Sequence, residues 1–376
     1  MTVKRPLLTA VETYRQSHVY PLHTPGHKGG RGADPALRHL VGDVALESDV
    51  SLMEELDDIH HPEGCIREAE KLAAEVYGSD RCFLGVNGTT GVIHGMLLGA
   101  LRPGDRILVP RNSHRSVLGG LILAGLEPVY VQPAYDEQWR LILQLSPEQV
   151  EAAFARHPDL KAVFLTTPNY FGLAADTKRI AEIAHGHGAV LLVDEAHGPH
   201  LGFSDLLPPG AMECGADAAA QSTHKIVGAM TQCSLLQVRY GRLRPEAMEQ
   251  AMSLVTTTSP NYLLMGALDG ARAQLAEKGA AMAAASVRAA SHGGRVRTGG
   301  NRPAESAAPG ARAAGAGKGT ERQGRRSGPG SGKGDHPGEP AGHHRTGSGR
   351  CAAPGRHRRG TGGPGSCALP GDLCGR

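Results

Sequence analysis

The chain has 376 residues, 40% hydrophobic and 20% charged, with a formal net charge of +3, long enough for two ordinary domains and a large core. Its seven cysteines, an odd number with no C-x-x-C pair, argue against a disulfide framework and a zinc site and fit a reducing cytoplasm. No N-terminal signal and no apolar run long enough to span a bilayer is visible, so a soluble, cytoplasmic chain with no membrane partner is expected.

In chain order, residues 63–77 (EGCIREAEKLAAEVY) put Ile66, Ala69, Leu72, Ala73 and Val76 on one helical face, with Gly78 as the stop. Residues 82–86 read as a strand and 90–102 as a helix ended by Pro103-Gly104. Short continuous apolar runs at 106–110, 128–132, 161–165 and 189–193 read as strands covered on both faces. Residues 146–157 form a helix opened by Ser146 as cap, Pro147 in the first turn and Gln149 in capping-box position. A strand-like stretch at 216–220 and a helix over 263–285 follow. This alternation predicts an α/β fold, a mostly parallel sheet flanked by helices, with ligands at the strand C-terminal ends. Asp194 stands at one of those ends.

From Ser286 onward the composition breaks. The last 91 residues hold 24 Gly, 14 Arg and 8 Pro, but only two Leu, two Val and no Ile, Met, Phe, Tyr or Trp. Sixteen Lys and Arg against five acidic residues give this stretch +11 and leave −8 for residues 1–285. Too little apolar surface is available to offset ordering entropy, so disorder is expected. One explanation is a basic tail for a polyanion, although it has no aromatic residue for base stacking. The other, preferred because the switch is abrupt and falls inside a helix, is out-of-frame translation of a GC-rich gene. Nucleic acid is therefore not the expected partner.

The stretch VLLVDEAHGPHLGF (190–203) runs a strand into Asp194-Glu195-Ala196-His197. D-E-A-H is a familiar spelling in nucleotide-driven motors, which also need an upstream phosphate loop, G-x-x-x-x-G-K-[ST]. The nearest match, AAGAGKGT (313–320), has Gly319 after Lys318, Arg312 where the first Gly belongs, and lies downstream with no strand before it. The motor reading fails on order, spelling and context.

Pyridoxal 5′-phosphate (PLP) makes a different set of demands: a lysine for its aldehyde, a carboxylate for its ring nitrogen, donors at a helix N-terminus for its phosphate, and a flat partner for its ring. QSTHKIVGAM (221–230) supplies Lys225, preceded by Ser222, Thr223 and His224 as small polar donors. GVNGTTGVIHG (85–95) supplies Gly88, Thr89 and Thr90 before a helix, PRNSHRS (110–116) offers His114 for stacking, and Asp194 is the carboxylate. Each element alone is more often an ordinary cap, turn or satisfied histidine. The ordered set at successive strand ends is what points to PLP.

Several longer stretches then carry a family resemblance: PLHTPGHKGGRG (21–32), LDDIHHPEGCIREAEKLAAEVYG (56–78), VNGTTGVIHGM (86–96), VPRNSHRSV (109–117), TTPNYFGLAAD (166–176), VDEAHGPHLGF (193–203), STHK (222–225) and TTTSPNYLLMGALDG (256–270). Residues 18–285 resemble the PLP-dependent ornithine/lysine/arginine decarboxylases, built on the aspartate-aminotransferase fold (fold type I). The resemblance implies release of amine and CO₂ from arginine, lysine or ornithine, with Lys225 as Schiff-base lysine and Lys225, His224 and Asp194 as catalytic residues. It implies that Ala196 packs against one ring face and His114 against the other, that Gly88, Thr89, Thr90, Ser222 and His224 hold the phosphate, and that His197 lies near the cofactor. It further implies a homodimer or higher homo-oligomer with shared sites, in which Thr257 or Ser259 could touch a neighbour's phosphate. The implied organisation is an N-terminal arm (1–20), a PLP-binding major domain (21–250), a connecting segment and helix toward a small domain (251–285), and the low-complexity stretch (286–376), which stands where the small domain would continue. The acidic residues Glu54, Glu55, Asp57 and Asp58 read as a solvated turn feeding a helix rather than a site for a cationic substrate. HTPGHKGG (23–30) could lie over the cofactor or be a mobile arm. Adjacent His60 and His61 are poorly placed to chelate one ion, and no metal is expected.

Overall fold

The computed structural model describes residues 3–292. Helices α1 (Pro6–Gln16), α2 (Pro35–Val41), α3 (Asp43–Ser48) and α4 (Cys65–Tyr77) precede the sheet. There follow β1 (Arg81–Gly85), α5 (Gly88–Ala100), β2 (Arg106–Pro110), α6 (Arg115–Ala124) and β3 (Glu127–Val131). A small ribbon of β4 (Tyr135–Asp136) and β5 (Leu141–Ile142) leads to α7 (Pro147–Arg156), β6 (Leu160–Thr166), α8 (Thr177–Gly186) and β7 (Val190–Asp194). The chain continues through β8 (Ala218–Gln221), α9 (Thr223–Ile226), β9 (Ser234–Val238), α10 (Pro245–Val255) and α11 (Tyr262–His292).

The main sheet has seven strands in the order β1-β9-β8-β7-β6-β2-β3. Only β9 runs against its neighbours, pairing antiparallel with both β1 and β8, so β1, β2, β3, β6, β7 and β8 all point the same way. The expected mostly parallel sheet is present. Strand β9, SLLQV, was not foreseen, and it makes the sheet mixed. The 128–132 run also departs from expectation: β3 is an edge strand, with Tyr130 45% exposed, because it has a neighbour on one side only.

Side-chain alternation along the strands divides the core. Ile107, Val109, Phe164 and Leu192 pack with Ile93, Leu97, Met248 and Met252 of α5 and α10. Leu108, Val163, Leu165, Leu191 and Val193 pack on the opposite face with Phe154 and Ile180 of α7 and α8. A third cluster joins Leu84 and Leu235 to Leu7, Ile66 and Tyr262 of α1, α4 and α11. A fully buried side chain such as Phe164 contributes about 2 kcal/mol through removal from water. Asp194 follows Leu192 by two residues and so belongs to the α5 face.

Local chemistry sets the helix ends. The Ser146 hydroxyl accepts from the Gln149 amide and the Gln149 side chain returns a bond to the Ser146 N–H, the capping box expected at α7. Helix α4 ends at Gly78 in a left-handed conformation (φ 67°). It begins at Cys65, two residues later than expected, because Asp57 caps it from a distance. Asp57 Oδ2 accepts from the amides of Gly64 (2.8 Å), Ile66 (2.9 Å) and Arg67 (3.4 Å), and Oδ1 from those of Asp58 (2.9 Å) and Glu63 (3.0 Å). Helix α11 runs to His292, past the expected end at 285, since Ala289 and Ala290 are strong helix formers. The remainder of the 286–376 stretch, with its expected disorder, lies outside the described residues.

Asp57→Ala removes a carboxylate that serves five amides. It is expected to lower unfolding free energy by about 2 kcal/mol, read as a lower urea midpoint by circular dichroism; an unchanged midpoint would refute this role.

Candidate active site

The C-terminal ends of β1, β2, β6, β7 and β8 meet around one cavity of about 420 Å³ on the α5 side of the sheet. The turn after β1 brings Gly88, Thr89 and Thr90; the segment after β2 brings His114; the end of β7 brings Asp194, Ala196 and His197; the end of β8 brings Ser222, His224 and Lys225. These ten residues, all singled out from the sequence, line this cavity, whereas Thr223, named beside them, does not.

Asp194 is 3% exposed, and its Oδ1 accepts one hydrogen bond from the Ala196 amide at 3.1 Å. Burial raises its pKa above the ordinary carboxylate range, and the Ala196 N–H and the charge of Lys225 reverse this only in part. The neighbouring Glu195 is also buried and takes donors from Gln221 Nε2 (2.8 Å) and the Ala211 amide (2.7 Å). Burial nonetheless pushes it up to about 7. Glu195 does not line the cavity and braces the loop after β7 against β8.

Lys225 Nζ lies 3.3 Å from His197 Nε2. The His197 pKa is lowered by burial first, then by the charge of Lys225, which favours a neutral ring able to accept from the lysine ammonium. His224 is fixed by a backbone carbonyl: a carbonyl only accepts, so the 2.9 Å bond to Cys233 O places a proton on Nδ1. In the neutral ring Nε2 is then an acceptor, and donation from it requires the doubly protonated ring.

At the α5 N-terminus, Asn87 makes no side-chain cap bond. The Gly88 amide is already bonded to Gln232 O at 3.1 Å, so Gly88, at φ 70°, supplies the turn rather than a phosphate donor. The first-turn amides of Thr89 and Thr90 have no acceptor within the helix and face the positive end of its dipole.

These features fit a flat, anionic cofactor with a basic ring nitrogen. A buried carboxylate with a single hydrogen bond suits a cationic partner, an uncapped helix N-terminus suits a phosphate, and a lysine amine lines the same cavity. The buried hydroxyl of Thr166 at the end of β6 also lines the cavity and has no partner.

Sequence reasoning missed Thr166, Asn169, Tyr170, Phe171, Asn112 and Gln232, all at the cavity wall. Thr166 was within reach, since it ends a strand as Asp194 does. Gln232 gave no signal: it adopts φ 79°, a conformation that its residue type does not advertise. Asn169 holds its loop by accepting from the amides of Phe171 and Leu173, both at 3.0 Å.

Other motifs lie elsewhere. Asp57 is committed to α4, and His60 ties Ser253 Oγ (2.9 Å) to Thr257 O (3.2 Å). The 23–30 segment packs near α1 and α3, where His27 Nε2 meets Asp49 at 3.1 Å, and does not line this cavity. Thr257 and Ser259 do not line it either. Among the described residues there is no cluster of three or more His, Cys, Asp or Glu side chains suited to a metal, and no helix long and apolar enough to cross a membrane.

The sequence profile described as Orn/Lys/Arg decarboxylase, major domain, matches residues 5–298. The chain is 43% identical over 274 residues to an arginine decarboxylase of Halalkalibacterium halodurans, covering 73% of this chain and 56% of that protein. It is 41% identical over 278 residues to the arginine decarboxylase of Bacillus subtilis, covering 74% and 57%. Among solved structures, lysine decarboxylase A from Pseudomonas aeruginosa superposes with a TM-score of 0.66 at 28% identity, over 75% of this chain and 41% of that one. The chain thus spans little more than half the length of the curated relatives it matches.

Lys225→Met is expected to raise the His197 pKa toward the ordinary histidine value, because the charge lowering it is gone. A histidine-resolved NMR titration measures this; an unmoved or lowered value would contradict the pairing.

Proposed function

The chain belongs to the Orn/Lys/Arg decarboxylase family, and we propose that its cavity serves PLP-dependent removal of the α-carboxyl group of a basic amino acid, releasing amine and CO₂. The observation that carries this reading is the meeting of Lys225, buried Asp194 and the uncapped start of α5 in one cavity. Arginine is the first substrate to test, since relatives at 41–43% identity are arginine decarboxylases and the lysine decarboxylases are 27–28% identical.

Lys225 is the residue to hold the cofactor aldehyde and Asp194 the one to keep its ring nitrogen protonated. Ala196 and His114 are assigned to the two ring faces. The Thr89 and Thr90 amides and hydroxyls, with Ser222 and His224, are assigned to the phosphate. When bound, PLP supplies the sink for the electron pair left by the departing carboxylate. A cationic ring nitrogen beside Asp194 would reverse the upward shift that burial imposes on that carboxyl. His197, as acceptor for Lys225, is placed to take a proton from the ammonium and free the amine. Proton return to Cα falls to Lys225 or to a doubly protonated His224. Residues 21–250 are proposed as the cofactor-binding part and 251–285 as the connection to a small domain. A homo-oligomer with shared sites is proposed on the family resemblance, with Thr257 or Ser259 as the residues offered to a neighbour.

Incubation with PLP followed by borohydride reduction is expected to place a pyridoxyl group on Lys225, identified by peptide mass spectrometry. Labelling scattered over other lysines would oppose the assignment. In a chain that loads PLP, Asp194→Asn is expected to leave folding intact and reduce turnover of arginine to amine and CO₂ roughly 100-fold or more. Near-normal turnover would remove Asp194 from this role, and keto-acid product would replace decarboxylation by transamination.

A further inference from the structure

His114 closes the turn before α6 as its N-cap, and its ring is held from one side by a single residue. The Ser116 amide donates to His114 Nδ1 at 3.2 Å, and the Ser116 hydroxyl lies 2.8 Å from the same nitrogen. A backbone N–H can only donate, so a proton on Nδ1 would face it head-on. The ring proton therefore resides on Nε2, the opposite edge. Ser116 is 3% exposed, so the two donors sit on a buried residue while the His114 ring itself is exposed. Both residues line the cavity with Lys225 and Asp194.

We propose that Ser116 is a positioning residue for the cofactor site, fixing the His114 ring in the Nε2–H form and in one orientation at the cavity wall. The amide alone leaves the imidazole free to rock about its Cβ–Cγ bond; the hydroxyl supplies the second contact that stops it. A ring so held meets a planar partner without losing rotational freedom on binding. No bond is made or broken in this role. The link to a cofactor rests on the function proposed above, whereas the tautomer belongs to the chain itself.

The test uses the full chain labelled with ¹⁵N-histidine, without and with PLP. In the wild type, His114 Nδ1 is expected at the resonance position of a non-protonated imidazole nitrogen and Nε2 at that of a protonated one. Ser116→Ala keeps the amide but loses the hydroxyl. It is expected to leave the proton on Nε2, which the amide still dictates, but to shift and broaden the His114 ring resonances as the ring rocks, and to weaken PLP binding about fivefold, the weight of one side-chain hydrogen bond. Ser116→Thr, which retains the hydroxyl, is expected to restore both. A protonated Nδ1 in the wild type overturns the proposal, as does a Ser116→Ala spectrum and PLP affinity equal to wild type. If the chain takes up no PLP, the cofactor reading fails, while the nitrogen spectrum still decides whether Ser116 sets the His114 tautomer.

Discussion

A carboxylate buried at the end of β7 with one backbone N–H as its hydrogen-bond donor is the constraint around which the cavity is arranged. Such a group is costly to keep charged away from water, and its raised pKa is the direct expression of that cost. A nearby positive charge offsets it, and Lys225 does so in part. The fold tolerates the arrangement because Asp194 sits where β7 ends and the sheet ceases to be sealed by helices. Two residues earlier, Leu192 on the same face is fully buried in the core.

Sheet direction makes this economical. Since β1, β2, β6, β7 and β8 run the same way, their following turns emerge on one edge, and residues up to 137 positions apart, from Gly88 to Lys225, reach one cavity. Strand β9 runs the other way and serves as a brace. Its Ser234 hydroxyl donates to Gln221 O at 2.6 Å, and Cys233 just before it receives His224 Nδ1–H. The antiparallel strand that the sequence did not reveal therefore fixes the orientation of a histidine that it did.

The histidines at the cavity show how backbone contacts assign chemistry to one residue type. His224 is tied at Nδ1 to an acceptor and His114 at Nδ1 to a donor, so their neutral rings present opposite character at Nε2. His197 differs again, with Nε2 facing Lys225. None of this is encoded by the letter H. It follows from which main-chain group each ring meets.

The sequence by itself determined the elements, the parallel bias, the strand ends and the ordered set Gly88-Thr89-Thr90, His114, Asp194, Lys225, because strand and helix patterns and turn chemistry act over a few neighbouring residues. It also made the family resemblance legible. Only the tertiary structure decided that Gly88 turns the chain instead of donating, that Asp57 is spent on α4, that β3 is an exposed edge, and that Gln232 and Thr166 stand at the cavity wall. Those outcomes depend on contacts between segments distant in the chain, which follow from how the sheet brings strand ends together and leave no periodic trace in the residues themselves.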